Sequence, residues 1–160
     1  SKNFTIKAEG YGRIKYASSN SKVATIDPKT GKVKVKGPGI VKITIKASGD
    51  NTHAAETKVT TIRIVPKRAT VKSVKSKEEH QLTISWKRDA QVSGYEIEYA
   101  TDKHFKDAKS VKIGRNKTTS QSIDNLKSGK KYYVRVRSYK TVGKTKLNGS
   151  WSKTDSATTK

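Results

Sequence analysis

The 160-residue chain reads as all-β, folded as two consecutive β-sandwiches. Three observations predict this. Apolar and polar residues alternate in short runs, most strictly over residues 32–36 and 132–138. Gly, Pro, Asn and Asp recur between those runs as turn signals. Nowhere do apolar residues hold a helical period over three turns. The apolar share is only 31%, which suffices for a core if it is concentrated on inward strand faces.

Residues 3–8 place Phe4, Ile6 and Ala8 inward; Gly10 and Gly12 break that strand, and residues 13–17 resume it with Ile14 and Tyr16. A polar turn over 18–22 leads into a short strand ending near Asp27, and Pro28-Lys29-Thr30-Gly31 is a β-turn by composition. Over 32–36, Val33 and Val35 point inward and the lysines outward. Gly37-Pro38-Gly39 turns the chain, after which Val41, Ile43, Ile45 and Ala47 line a strand. Beyond a loop over 48–55, residues 57–65 close the unit with Val59, Ile62 and Ile64 inward. Val59 and Ile62 are out of phase, which predicts a β-bulge at Thr60-Thr61.

Pro66-Lys67-Arg68 marks a boundary, giving domains over 1–66 and 67–160. A proline donates no ladder hydrogen bond and biases Val65 toward extended geometry, so the link is short and stiff.

In the second domain, residues 69–75 carry Val71 and Val74, and residues 81–87 bring Leu82, Ile84 and the large core indole of Trp86 inward. Residues 93–100 place Tyr95, Ile97 and Tyr99 inward, Glu96 and Glu98 outward. Val111 and Ile113, then residues 122–126, supply further strands. After Ser128-Gly129, Tyr132, Val134, Val136 and Ser138 share one face, and Tyr133, Arg135 and Arg137 the other. Leu126, Gly129 and Tyr132 at intervals of three suggest a corner between two sheets, with the Tyr132 hydroxyl reaching back to backbone near the turn. Residues 148–153 enter the last strand, which runs through Ala157.

The run Ser18-Ser19-Asn20-Ser21-Lys22-Val23-Ala24-Thr25-Ile26-Asp27, followed by 31–39 and 41–45, resembles the bacterial immunoglobulin-like domain of group 2. Leu82-Thr83-Ile84-Ser85-Trp86, residues 93–100 and Gly149-Ser150-Trp151-Ser152 resemble the B, C and G positions of fibronectin type III domains, and Leu126 to Ser138 their E-to-F corner and F strand. Together they imply two consecutive immunoglobulin-like β-sandwich domains of an extracellular, cell-surface or cell-wall protein. The second, with Phe105 to Lys109 and its basic loops, is most similar to domains of Gram-positive bacterial surface proteins. The strand that the first family places before Phe4 is short or missing, so the chain is expected to belong to something longer.

Thirty-six Lys and Arg against thirteen Asp and Glu give a net charge of +23, a field that favours anionic partners and also serves solubility. With no cysteine, disulfides, thiol nucleophiles and sulfur-ligated zinc are excluded. No run of 18 apolar residues occurs, so no membrane insertion is expected.

Catalytic, metal and cofactor sites are not expected. His53, His80 and His104 lack metal-ligand spacing and read as solvated surface. Asp50-Asn51 and Asp102 read as turn chemistry rather than calcium ligands. No Gly-x-Ser-x-Gly elbow occurs. Glu96 and Glu98 lie two apart on one strand and read as a solvated face next to lysines, not as carboxylates opposed across a cleft. No core lysine, amide and acid can be picked out for an isopeptide crosslink.

Structural weight falls on Trp86, Tyr132 and Trp151, with Trp151 expected to lie over Arg135 and Arg137, resembling in reduced form the tryptophan and arginine ladder of cytokine-receptor domains. Candidate polyanion-binding residues are Lys127, Lys130 and Lys131 at one end of that strand and Lys140, Lys144 and Lys146 in a loop at the other. The two groups stand about 30 Å apart, too far for one pocket. The function read here is a non-enzymatic, monomeric spacer or adhesion module. The alternatives are binding of anionic cell-wall polymer, polysaccharide or a host surface protein, and the accessory region of a wall-active or carbohydrate-active enzyme. Nucleic acid is disfavoured because aromatics on the best strands face inward.

Overall fold

A computed structural model describes residues 3–160, with no helix among them, and the chain divides into two units at the Val65–Pro66 junction. Pro66 therefore belongs to the second unit, one residue before the boundary read from the sequence.

The first unit is a pair of three-stranded sheets. One sheet orders β1 (Phe4–Thr5), β4 (Lys32–Val35) and β3 (Ala24–Ile26); the other orders β2 (Ile14–Ser18), β5 (Gly39–Ala47) and β6 (Glu56–Ile64). Alternation decides what lies between them. Val23, Ala24, Val33, Val41, Ile43 and Ile64 are buried, with Ile6, Ile26, Val35, Ile45 and Ile62 packed against them. Gly31 holds the turn before β4 at φ 68°, and a side chain there would collide with the Ile6 carbonyl.

Two readings of this unit are corrected. Phe4 is 39% exposed rather than inward, because β1 is only two residues long and sits at a sheet edge. No bulge interrupts β6, whose register with β5 is continuous from Glu56 to Ile64. The phase conflict resolves the other way: Thr60, Ile62 and Ile64 share the inner face, and Val59 is turned out, 54% exposed.

The second unit also has two sheets. The smaller orders β11 (Ser120–Ile123), β8 (Leu82–Trp86) and β7 (Val71–Lys75). The larger orders β10 (Lys109–Ile113), β9 (Gly94–Ala100), β12 (Lys131–Val142) and β13 (Thr145–Asn148), with β14 (Asp155–Thr158) also paired to β12. The three-residue spacing of Val71 and Val74 is accommodated by a register shift between Val71 and Ser73. Leu82, Ile84, Trp86, Tyr95, Ile97, Val134 and Val136 are completely buried, and the Trp86 and Tyr95 rings meet at 5.3 Å. The Tyr95 hydroxyl accepts a hydrogen bond from the Asp89 N–H at 2.7 Å, and burial raises its pKa above the ordinary phenol value.

The strand expected over 122–126 ends at Ile123, and Asn125 adopts φ 58° before the corner. At the corner the Tyr132 hydroxyl accepts a hydrogen bond from the Lys127 N–H at 3.1 Å. Tyr132→Phe removes the acceptor but keeps the ring, and should lower stability by about 1 kcal/mol in denaturant titration.

Two features of the larger sheet differ from the reading. Residues 140–146 form a β-hairpin, not a loop: β12 pairs with β13 from Tyr139–Asn148 to Val142–Thr145, and Gly143 supplies the positive φ of the turn. Residues 149–154 lie outside any strand, so the last strand begins only at Asp155. In that gap Gly149 N–H donates to the Ser138 carbonyl at 2.9 Å, Ser152 N–H to the Val136 carbonyl at 2.8 Å, and Val136 N–H to the Ser152 hydroxyl at 3.0 Å. Together these bonds tie the interrupted strand to β12 without a regular ladder.

Candidate functional site

The interruption at 149–154 lets Trp151 fold across β12. Its ring lies 4.7 Å from the Arg135 guanidinium and 4.2 Å from that of Arg137. The other aromatic neighbour of Arg135 is Phe105, at 4.1 Å, a loop residue at φ 59°. Phe105, Arg135, Trp151 and Arg137 therefore alternate as aromatic and cation.

Beneath this ladder lie two carboxylates. Register places Glu98 opposite Arg135 and Glu96 opposite Arg137. The Arg135–Glu98 ion pair is 2.6 Å and Arg137–Glu96 2.8 Å, and each arginine also donates through Nε, at 2.8 and 2.9 Å. The side chains of Glu96 and Glu98 are only 17% and 21% exposed, so the reading of a solvated strand face is corrected: both acids are engaged. Lys146 joins them through Glu96 at 3.2 Å and stands 4.7 Å from the Tyr139 ring centroid. Burial works to raise the Glu96 pKa, but hydrogen bonds and charges from Arg137 and Lys146 outweigh it and hold the carboxyl below its ordinary value.

Because the folded-state pKa of Glu96 is depressed, its contribution to stability is full above the ordinary glutamate value and is lost as pH falls through the depressed one. The acid limb of the stability profile should therefore flatten in Glu96→Gln, as read by denaturation midpoints across that range.

The remaining candidates divide plainly. Lys127, Lys130, Lys131 and Lys144 are exposed and Lys140 is half-buried, whereas Lys146 is not a free cation because Glu96 holds it. Lys131 stands 5.4 Å from the Tyr133 ring. Lys127 and Lys130 offer their carbonyls to the buried Thr159 hydroxyl. His53, His80 and His104 are all exposed, as the surface reading has them; His53 also stacks on Tyr11 at 3.3 Å and pairs with Asp50 at 2.9 Å, and His80 Nδ1 lies 3.0 Å from the Leu126 carbonyl. Asp50 and Asp102 accept backbone N–H groups of the residues that follow them, which lowers both pKa values.

Trp151 over the arginines is in reach of the sequence, whereas Glu96 and Glu98 read there as a solvated face and not as partners of those arginines. A signal existed, because Glu-x-Glu and Arg-x-Arg of equal parity on adjacent strands come face to face once the strands pair. Phe105 had no such signal, since a loop residue follows no period.

The fibronectin type III domain model matches residues 66–154, and the intimin immunoglobulin-like domain model matches residues 2–50. The chain is thus an immunoglobulin-like domain followed by a fibronectin type III domain, the arrangement its motifs indicated. No curated protein matches the sequence. Among solved structures, a two-domain fibronectin type III segment of chicken tenascin is similar at 14% identity and a TM-score of 0.66, over 96% of this chain and 87% of that one. The FN1–FN3 domains of chicken CNTN1 are similar at 22% identity and a TM-score of 0.52, over 92% of this chain and 57% of that one. At such identities the likeness is one of fold: all-β immunoglobulin-like sandwiches.

Proposed function

We propose that this chain, which belongs to the fibronectin type III domain family through residues 66–154, serves as a non-enzymatic spacer or adhesion module of a bacterial cell-surface protein. The observation that carries this reading is where the ionisable groups of the larger sheet are engaged. Glu96, Glu98, Arg135, Arg137 and Lys146 pair with one another across a sheet face and clamp the strands beneath. Such an arrangement stiffens a sandwich rather than exposing a nucleophile or a base.

The ends of the second unit support a mechanical role. Thr159 N–H donates to the Lys130 carbonyl at 3.0 Å, Gly129 N–H donates to the Thr159 carbonyl at 3.0 Å, and His80 N–H donates to the Lys160 carbonyl at 3.2 Å. Together with the β12–β14 ladder, these bonds tie the last strand and the residues after it to β12 and to His80. An extracellular setting, with surface polymer or protein as neighbour, fits the immunoglobulin-like and fibronectin type III pairing. Pulling the chain end to end should give two separate unfolding events whose length gains, at about 3.4 Å per residue, stand near two to three. A single concerted event, or gradual extension without peaks, would contradict the spacer reading.

A further inference from the structure

We propose that the outer face of the β2–β5–β6 sheet, in the first unit, is a binding surface for a linear anionic polysaccharide. The inference takes its setting from the surface-module reading but rests on a face that reading does not use.

Register places Lys15 directly opposite Lys46, and Lys46 opposite Thr57. Alternation from the buried Val41 and Ile43 turns Lys42, Thr44 and Lys46 to the other side of β5. Arg13, Lys15, Lys46, Ser48 and Thr57 line one shallow groove there. Glu56 is carried to the opposite face, where it lines a different depression with Ile6 and Ile45. None of the ion pairs among the described residues involves Arg13, Lys15, Lys42 or Lys46. Directly opposed like charges destabilise a sheet, so a bare Lys15–Lys46 pair is a feature that an anion would relieve.

In the second unit, by contrast, Arg135, Arg137 and Lys146 are each held by one of two carboxylates of the larger sheet. No acid occupies an outward position of β2, β5 or β6, and that distinguishes the first unit's face from that one.

A glycan suits this face better than other polyanions. Tyr11 stands two residues before Arg13, is 55% exposed, and is held on one side by His53. Its carbonyl accepts the Gly49 N–H at 3.0 Å, next to Ser48 of the groove. An exposed ring carried two residues before Arg13 can stack a sugar while the cations take its acidic groups. Nucleic acid calls for successive stacking platforms, and a single ring does not provide them. The outward turn of Val59 adds apolar area to the same face, since it lies opposite Thr44.

The test uses the full chain and three polymers: heparin, neutral dextran and poly(dT), at low and moderate salt. Arg13→Ser, Lys15→Ser and Lys46→Ser together should lower heparin affinity at least tenfold and reduce the dependence on salt by about three counterions. Lys127→Ser, Lys130→Ser and Lys144→Ser remove the same charge from the second unit and should cost less than threefold. Lys15→Glu guards against a folding defect, because it sets a carboxylate opposite Lys46, should hold or raise the unfolding temperature, and should still lose heparin. Equal losses in the two triple variants would mean diffuse charge and overturn the proposal, as would binding to dextran or a preference for poly(dT). Two-step unfolding under force does not depend on any of these outcomes, so failure here leaves the spacer reading standing on its own test.

Discussion

Trp86→Ala is expected to destabilise the second domain by about 3–5 kcal/mol, the largest effect of any single substitution considered. Trp86 is completely buried in β8, against Tyr95 and within a cluster that also takes in Leu82, Ile84, Ile97, Val134 and Val136. Truncation would leave a void bordered by both sheets, and rigid strands on each side close on it only in part. Its indole nitrogen has no hydrogen-bond partner among the described residues, so Trp86→Phe loses no bond and should cost clearly less than the alanine change. The comparison is made by urea titration, where the midpoint should shift with little change in slope.

Trp151→Ala should cost about 1–3 kcal/mol, although the residue is only half-buried. Two effects add. Packing the indole on the two arginines takes apolar area from water, and its face attracts both guanidinium groups, at about 0.5–2 kcal/mol for cation–π contacts. Without it the arginines keep their carboxylates but gain water, which weakens the ion pairs beneath. Arg137→Lys offers the control: it keeps the charge near Glu96 and removes the planar group that lies 4.2 Å from the indole. In a double-mutant cycle the two changes should be less than additive. An unchanged midpoint in Trp151→Ala would dismiss the ladder as a stabilising device.

Much of the architecture was legible because a strand with one buried face writes its orientation into every second residue. Val33, Val41 and Ile43, like Leu82, Ile84 and Trp86, sit where alternation puts them. The rule fails where a strand is too short to have two faces or where apolar residues of opposite phase share one strand. Phe4 belongs to a two-residue edge strand, and Val59 competed with Ile62 for one face until pairing with β5 settled the matter. The gap at 149–154 left no periodic trace, since Ser152 replaces ladder bonds with its hydroxyl. The ladder's acids show a different limit: charge sequence gives parity, but only strand register says which cation meets which anion. The same holds for Lys15 and Lys46, thirty-one positions apart in sequence and adjacent in the sheet.

The buried apolar side chains form two separate cores, one in each unit. Calorimetry of the full chain beside Trp86→Ala tests this most directly. Two heat-absorption peaks are expected, of which the substitution lowers only one and leaves the other at its original temperature. A single peak that moves as a whole would contradict it.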